Sequence, residues 1–225
     1  MIDLRTRATD PEALDLGVAP DEALRSLDDL RFVNRWLGNR GRFVGAVLPY
    51  LQGSARPRLL DVGSGSGDVP ALLRRALGGQ LAVAAVDIKL LHLQAAPPEL
   101  LRVVADARRL PFAPGSFDVV TASLFLHHFD QAALPDLLRG LYGLARRALV
   151  VNDLRRARVP YLFGRAVFPL LFKSRISIED GLISIRSSFR EPELRAAFAA
   201  AGVPAVRIER NWPYRLLAVA EKPAA

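Results

Sequence analysis

Residues 59–68 read Leu-Leu-Asp-Val-Gly-Ser-Gly-Ser-Gly-Asp, and this stretch decides the fold. Its apolar beginning is typical of a buried β-strand, and three glycines spaced two residues apart indicate a tight turn. A helical pattern from Val69 to Leu77 follows directly. A strand, a glycine turn and a helix N-terminus in this order predict the place where an α/β sheet binds a nucleotide-like ligand.

Strand and helix patterns alternate on both sides of this turn. Alternating strands and helices predict an α/β fold with a Rossmann-like, doubly wound, mainly parallel seven-stranded sheet. Only Asn211-Trp212-Pro213 separates the last two strands, so these must form a C-terminal antiparallel hairpin. Helices are expected at 23–37, 41–51, 69–77, 131–144 and 191–201, and strands at 58–62, 81–87, 101–105, 117–123, 148–152, 205–210 and 214–221.

Composition narrows the class of protein. The 225 residues suit one domain, and the absence of cysteine excludes disulfides and thiolate chemistry. The net charge of +8 comes from scattered arginines rather than from a basic stripe with aromatics, so a nucleic-acid partner is not expected. The charged start of the chain is unlike a signal peptide, and the apolar run Val159 to Phe172 is too short to span a bilayer. We expect a cytoplasmic protein.

The turn itself argues against two common ligands. In a dinucleotide-binding G-x-G-x-x-G turn, the third glycine would fall on Asp68 or on Pro70. An aspartate at the helix N-terminus would also repel a pyrophosphate, and no Gly-Lys-Ser/Thr follows to form a phosphate loop. The ligand is therefore expected to be uncharged or cationic where it meets this turn.

Four ordered motifs carry a family resemblance over residues 55–153. The turn with Asp61, the pair Val86-Asp87, the run Val104 to Ala107 and the segment Ser116 to Phe129 resemble class I S-adenosylmethionine-dependent methyltransferases. The resemblance implies S-adenosylmethionine as cofactor. It also implies residues 1–54 as an N-terminal helical arm or cap, residues 55–225 as the methyltransferase domain and residues 155–190 as a lid insertion.

The same resemblance implies a cofactor site. Asp87 would accept hydrogen bonds from the ribose hydroxyls, Asp106 would meet the adenine amino group, and Asp61 would fix the turn and help to hold the cofactor's amino group. Two alternatives remain open, in which Asp87 only caps a helix and Asp106 is only a turn residue. The implied cofactor-binding residues are Asp61, Gly63, Ser64, Gly65, Asp87, Ile88, Asp106, Ala107 and Ser123.

Methyl transfer from a sulfonium is an in-line displacement, so an acidic hydroxyl acceptor needs a base. His127 and His128 follow the fourth strand at the crevice edge and are the candidates, with a slight preference for His128. Asp153, at the end of the fifth strand, could assist a histidine. Alternatively, the histidines only pack the loop, and Asn152-Asp153 forms only an Asx turn. No metal is expected.

The acceptor pocket is expected between the N-terminal helix and the insertion. Its candidate lining residues are Trp36, Asn152, Tyr161 and Phe168, accompanied by Phe32, Asn34, Arg40, Phe163, Leu171 and Phe172. An apolar lid suits an aromatic or acyl-bearing small molecule. Ordinary packing and peripheral membrane contact through Arg165, Lys173 and Arg175 remain alternatives.

Residues 152–156 and 180–189 further resemble bacterial quinone-biosynthesis C-methyltransferases, some relatives of which act on phenolic polyketides or lipids. The sequence therefore predicts O-methylation of a small phenolic acceptor with histidine as general base. C-methylation of a quinone precursor, an RNA or protein methyltransferase, and a cofactor-binding protein without catalysis are the alternatives. Ser123-Leu124-Phe125-Leu126 stands where an amino-methylating enzyme would carry Asn-Pro-Pro-Tyr. The pattern does not distinguish a monomer from a homodimer.

Overall fold

The protein is described here from a computed structural model that defines residues 4–36, 40–203 and 205–223. Leu37, at the end of the predicted N-terminal helix, and the side chain of Asn34 lie outside the described part of the chain.

Seven strands form one mixed sheet in the order β3-β2-β1-β4-β5-β7-β6. The first five strands pair in parallel, and β7 pairs antiparallel with both β5 and β6. The doubly wound sheet and its terminal hairpin are thus confirmed. The strands are β1 (Arg58–Val62), β2 (Ala82–Asp87), β3 (Leu101–Val104), β4 (Phe117–Ser123), β5 (Ala145–Leu154), β6 (Val206–Asn211) and β7 (Arg215–Glu221).

Helices cover both faces of the sheet, and a 3₁₀ turn at Leu126–His128 follows β4. The helices are α1 (Ala13–Leu16), α2 (Pro20–Trp36), α3 (Arg40–Leu51), α4 (Asp68–Ala76), α5 (Leu90–Gln94), α6 (Leu134–Leu144), α7 (Arg158–Leu171), α8 (Arg175–Ser187) and α9 (Glu191–Ala200).

The central strands are buried on both faces, which explains their continuous apolar sequence. Leu60 and Val62 of β1 belong to the core beneath α6 and α9, whereas Leu59 points to the opposite core beneath α3 and α4. Successive side chains of a strand face opposite sides, so one short run contributes to both layers. The sheet is therefore held from both faces at the strand that ends in the glycine turn.

One predicted strand boundary and one predicted helix boundary differ from the observed ones for identifiable reasons. The strand expected at 148–152 extends over Ala145–Leu154, because antiparallel pairing with β7 continues as far as Leu154 opposite Arg215. The helix expected from residue 131 begins at Leu134, where Pro135 occupies one of the first two helical positions. The insertion after β5 forms two helices, α7 and α8.

Residues 4–16 pack against the rest of the protein, although their polar composition is typical of a loose arm. Residues 4–16 lie against α8 and the loop after β4, where Ala13 and Leu14 donate backbone hydrogen bonds to the Asp180 carboxylate. Arg7 reaches the carbonyl oxygens of His127 and Ser187 at 2.8 and 2.5 Å. The beginning of the chain thus covers the end of the sheet where β4 and β5 terminate.

Arg156 anchors this N-terminal segment from below. Its guanidinium is fully buried and donates to the carbonyl oxygens of Leu4 and Ser188 and to the Glu193 carboxylate. A buried charge is tolerated only when such partners surround it. Arg156 therefore ties residues 4 and 5 to the region between α8 and α9.

Within the described ranges, no helix combines the length and apolar character needed to cross a membrane.

Replacing Arg156 with Met should lower the free energy of unfolding by about 3 kcal/mol, because Glu193 and the buried carbonyl oxygens lose their donor. Equilibrium chemical denaturation measures this loss. Arg195→Met is the matched control, since the exposed Arg195 pairs with Glu191 and donates to the Val206 carbonyl oxygen at the surface, and exposed pairs are worth less than about 1 kcal/mol. Equal stability of the two variants would contradict the anchoring role.

Candidate functional site

A cavity of about 800 Å³ opens at the carboxyl ends of β1, β2 and β4. In α/β sheets this edge is where ligands bind, and the volume lies in the usual range for small-molecule sites. The glycine turn and the loops after β2 and β3 line one side. The loop after β4, helices α7 and α8, and the N-terminal segment line the other. The cavity therefore has a turn side and a histidine side.

The glycine turn is fixed by hydrogen bonds from its own backbone and side chains. Gly65 N–H donates to Asp87 Oδ2 at 2.9 Å, and Ser64 N–H donates to the Val86 carbonyl oxygen at 2.9 Å. Ser64 Oγ also donates to Asp61 Oδ2 at 2.7 Å. The turn after β1 is thus held by the end of β2, which brings Asp61 and Asp87 to the same corner of the cavity.

Two of the glycines serve different purposes. A Cβ at residue 63 would lie 2.1 Å from Cδ2 of Phe125, so this position must remain glycine for packing. A Cβ at residue 65 would meet nothing within 4 Å, although the backbone is in the left-handed region at φ +53°. Gly65 lines the cavity, so the space above it can receive a ligand close to the backbone.

Asp61 is a buried carboxyl group beneath the turn. Burial raises the pKa of Asp61 to about 6, although hydrogen bonds from Thr121 and Ser64 oppose the shift. The negative charges of Asp68 and Asp87 raise it further. A cationic ligand group placed beside Asp61 would offset this cost of ionisation.

Asp87 and Asp106 occupy the remaining part of the turn side. Asp87 Oδ1 accepts from Lys89 N–H at 2.9 Å and lies 3.3 Å from His92 Nδ1, while Oδ2 accepts from Gly65 N–H, so both oxygens already have a partner. Asp106 accepts from the guanidinium of Arg108, which with the Arg108 backbone bond holds its pKa below the ordinary value. All nine residues predicted to bind the cofactor line the cavity, including Ile88, Ala107 and Ser123.

Asp68, at the N-terminus of α4, does not stand as an isolated negative charge. Arg40 Nη2 contacts it at 3.0 Å, and Ser66 Oγ donates to it at 2.6 Å. The repulsion that Asp68 would exert on a phosphate is therefore weakened by its ion pair.

His127 sits between two carboxylates. Its Nδ1 lies 2.6 Å from Asp153 Oδ1, and its Nε2 lies 3.5 Å from Glu12 Oε1. Burial opposes a charge on this ring, but the Asp153 carboxylate and then Glu12 overcome that effect and raise the pKa of His127 to about 10. Burial raises the pKa of Asp153, yet its bond to His127 prevails and lowers it. The two groups form a buried ion pair.

His128 has a different environment. Its ring stacks on His127 with the centroids 4.5 Å apart, and its Nδ1 lies 2.7 Å from Asp15 Oδ2. Among the described residues, no hydrogen-bond partner faces its Nε2. Both histidines line the cavity, so the loop after β4 presents two rings with unequal surroundings to any acceptor.

The carboxylates that contact these rings come from a region without a recognisable sequence motif. Glu12 and Asp15 lie in and beside α1, and both line the cavity together with Asp180 and Ser184 of α8. Glu12 also accepts from Ser184 Oγ. No motif marks these residues, because their partners are far away in the chain.

The candidate pocket residues are only partly brought together. Phe168 lines the cavity, and so do Phe163 and Phe172. Trp36 is 66% exposed at the end of α2, and Tyr161 is buried against Leu4 and Ile185, so neither lines it. Tyr161 is displaced because α7 turns that side of the helix toward the protein interior, whereas Trp36 points to solvent.

Asn152 and Asp153 also lie behind the cavity wall rather than in it. Asn152 is buried and donates to Ser123 Oγ at 3.3 Å, and Asp153 is completely buried beneath His127. Asp153 therefore acts on the cavity only through His127, whereas Asn152 supports the residue that ends β4.

Glu12, His127 and His128 bring one oxygen and two ring nitrogens within 4.8 Å of one another, a spacing that could hold a metal ion. Both Nδ1 atoms already face Asp153 and Asp15, which leaves the Nε2 atoms for such a role. The expectation of no metal stays a prediction.

Comparison with known proteins gives the class of the domain. Residues 59–147 match a family described as a methyltransferase domain. Residues 59–147 thus resemble a methyltransferase domain, in agreement with the resemblance carried by the sequence motifs and with the S-adenosylmethionine cofactor that it implies.

Individual relatives fit this class. The chain is 33% identical over 109 residues to the ubiquinone/menaquinone biosynthesis C-methyltransferase UbiE of Dinoroseobacter shibae. That match covers 45% of the chain and 43% of the relative, so less than half of the curated relative's length is spanned.

Solved structures share the fold across most of the chain. The plantazolicin methyltransferase BpumL, solved with S-adenosylhomocysteine, has a TM-score of 0.71 at 14% identity, with 91% of each chain covered. An S-adenosylmethionine-dependent methyltransferase from Aquifex aeolicus has a TM-score of 0.62 at 15% identity, covering 91% of this chain and 99% of the other.

The residues of the turn side fit this cofactor. The open space at Gly65 can take its amino-acid portion, the buried Asp61 lies where a cationic amino group would be stabilised, and Asp87 retains lone pairs for hydroxyl groups.

Replacing Gly65 with Ala should weaken S-adenosylhomocysteine binding at least tenfold, because the new methyl group fills the open space above the turn. Titration calorimetry measures the affinity. Gly53→Ala is the matched control, because Gly53 also has a positive φ and nothing within 4 Å of its Cβ but does not line the cavity. Both variants should lose about 1 kcal/mol of stability to backbone strain. Unchanged affinity of the Gly65 variant would contradict this site.

Cofactor affinity should also depend on the ionisation of Asp61. S-adenosylhomocysteine binding is expected to weaken as pH falls below about 6, since protonated Asp61 no longer attracts the ligand's ammonium group. The stability of the ligand-free protein should change in the opposite direction and rise as pH falls. A carboxyl group whose pKa rises from 3.8 to about 6 on folding stabilises the folded state increasingly as pH falls through that window.

Calorimetry and thermal unfolding between pH 5 and 8 separate the two effects. Asp61→Asn should bind weakly at every pH and should lack this pH dependence. An identical pH profile in the wild type and the Asn variant would refute the role of Asp61.

Proposed function

We propose that the protein transfers a methyl group from S-adenosylmethionine to a hydroxyl group of a small, apolar, aromatic acceptor. The observation that carries the proposal is the continuity of one cavity from the glycine turn to the histidine pair. Phe163, Phe168 and Phe172 supply apolar walls on the histidine side. An acceptor in that part of the cavity would lie between the cofactor and the two imidazoles.

The unequal surroundings of the two rings support a division of labour. His127 has a carboxylate at each ring nitrogen, whereas His128 has one only at Nδ1. Nε2 of His128 is therefore the nitrogen available to take the acceptor's proton, and Nδ1–H of the same ring donates to Asp15. His127, charged between Asp153 and Glu12, stabilises the negative charge that develops on the acceptor oxygen.

When bound, S-adenosylmethionine supplies an electrophilic methyl group on its sulfonium. The chain's own contribution is to orient the acceptor oxygen toward that group and to exclude water. Asp153 acts as a positioning residue, because it fixes the His127 ring without reaching the cavity. Leu124, which has a positive φ of 53°, lies between Ser123 and Phe125 at the same edge.

We infer that residues 1–54 form a cap, residues 55–225 the methyltransferase domain and residues 155–190 a lid over the acceptor. In support, Asp29 of α2 accepts backbone hydrogen bonds from Lys173 and Ser174 at the start of α8. The two capping elements therefore hold each other across the histidine side of the cavity.

The acceptor class includes hydroquinones, in which a ring carbon is the alternative methylation point. The partial match to the C-methyltransferase UbiE favours this second candidate. Deprotonation of a hydroxyl also activates the adjacent ring carbon, so the same base serves both reactions. Product analysis decides between them.

A larger acceptor is less well supported. The histidines lie beneath the N-terminal segment, and His127 is only 5% exposed, which disfavours an RNA or a folded protein. The outer face of α7 instead exposes Leu162 and Leu170 beside Arg165. That face supports peripheral contact with a membrane that delivers an apolar acceptor.

The test uses alkyl-substituted phenols and hydroquinones with S-adenosylmethionine, and it detects methylated products by mass spectrometry and NMR. His128→Gln should lower kcat by about 10²- to 10⁴-fold, the usual contribution of a general base. Its affinity for S-adenosylhomocysteine should be unchanged, because His128 lies on the other side of the cavity. Wild-type turnover in this variant would exclude His128 as the base, and no turnover of any phenol or hydroquinone by the wild type would refute the proposed function.

A further inference from the structure

We propose that Arg215 binds a carboxylate on the acceptor, which makes the acceptor a hydroxyaryl carboxylic acid. This inference rests on the proposed function, and it deepens that function by naming a recognition group. The base and the cofactor turn define where methyl transfer occurs. Arg215 would define which molecules are held there.

Arg215 lies at the first position of β7, directly after the hairpin turn. It stands opposite Leu154 at the end of β5, and both residues line the cavity. The turn residues Trp212 and Tyr214 line it as well, and Tyr214 has a positive φ of 48°. Arg215 therefore reaches the cavity wall although it comes from the far end of the chain.

The guanidinium is buried without a partner in the described part of the chain. Arg215 is 4% exposed, and its side chain makes no hydrogen bond or ion pair with residues 4–36, 40–203 or 205–223. Its Nε in particular is buried and unsatisfied. A buried charge without a partner is costly to maintain, so the arrangement is accounted for if a ligand supplies the missing anion.

Another arginine in the same fold shows the contrast. Arg156 is 3% exposed, and its guanidinium is surrounded by Glu193 and the carbonyl oxygens of Leu4 and Ser188. At Arg156 the chain surrounds a buried guanidinium with acceptors. Arg215 lacks them, and it alone of the two lines the cavity.

The carboxylate that acts on Arg215 leaves the positive charge of the guanidinium available to a ligand. The carboxylate that acts electrostatically on Arg215 is Asp153, whose oxygens are already engaged by His127 and by the Leu154 N–H. Burial lowers the pKa of Arg215 to about 10 against the opposing attraction of Asp153, so the group remains charged at neutral pH.

A second buried donor, outside the cavity lining, lies on the neighbouring strand. Asn211 lies opposite Arg215 in the β6–β7 ladder, and residues directly opposite in an antiparallel pair share one face of the sheet. The Asn211 Oδ1 accepts from Arg42, whereas its Nδ2 is buried without an acceptor. A carboxylate suits this corner, because its two oxygens can accept from a planar guanidinium in a bidentate manner.

The experiment measures binding to the protein saturated with S-adenosylhomocysteine. Calorimetry compares 4-hydroxybenzoate, its neutral amide and its phosphonate counterpart, together with their alkyl-substituted forms. The wild type should bind the carboxylate at least tenfold more tightly than the amide. Arg215→Met should abolish that preference while retaining affinity for the amide. Arg165→Met changes the net charge equally on the exposed face of α7 and should keep the preference.

Stability distinguishes a binding role from a structural one. Removing an unpaired buried charge should leave the thermal midpoint of the Arg215 variant unchanged or raise it, whereas a structural arginine would lower it. Equal affinity for carboxylate and amide in the wild type, or tighter binding of the phosphonate, would overturn the inference. If only neutral phenols are methylated, the carboxylate inference fails and the proposed function remains intact. If neither phenols nor hydroxyaryl carboxylates are methylated, the inference and the proposed function both fail.

Discussion

The glycine turn and the histidine loop meet at one contact that leaves no room for adjustment. The Phe125 ring occupies the space that a side chain at residue 63 would need. The same ring packs edge-on against Phe129 and lies 6.3 Å from the His128 ring centroid. Because dense packing transmits small displacements, the distance between the glycine turn and the His128 ring depends on residue 63 having no side chain.

The two sides of the cavity were not equally accessible to prediction. The turn side is contiguous in the chain: Gly65 and Asp87 are 22 residues apart, and each ends or follows a buried strand. Parallel strands bring such ends to one edge, so motif order alone predicts their proximity. Every residue assigned to the cofactor from the sequence lines the cavity for this reason.

The histidine side is assembled from segments that are distant in the chain. For this side the sequence motifs predict only the positions of His127 and His128. Glu12 and Asp15 are polar residues in a polar segment, and nothing local indicates that they face His127 and His128. Arg215 reads as one residue of an edge hairpin until β5, β6 and β7 are paired. Trp36 and Tyr161 are predicted to line the pocket because they are aromatic, but aromatic character does not determine the direction in which a helix turns a side chain.

The long separation of these partners has a consequence for folding. Arg7 bonds to Ser187 across 180 residues, whereas the cofactor turn closes within 22. Contacts between distant parts of a chain form late, because a long loop must be closed before they contribute. The cofactor half should therefore become ordered while the N-terminal segment is still free, and during synthesis that segment can dock only after α8 has emerged. The N-terminal segment therefore completes the wall of the cavity last.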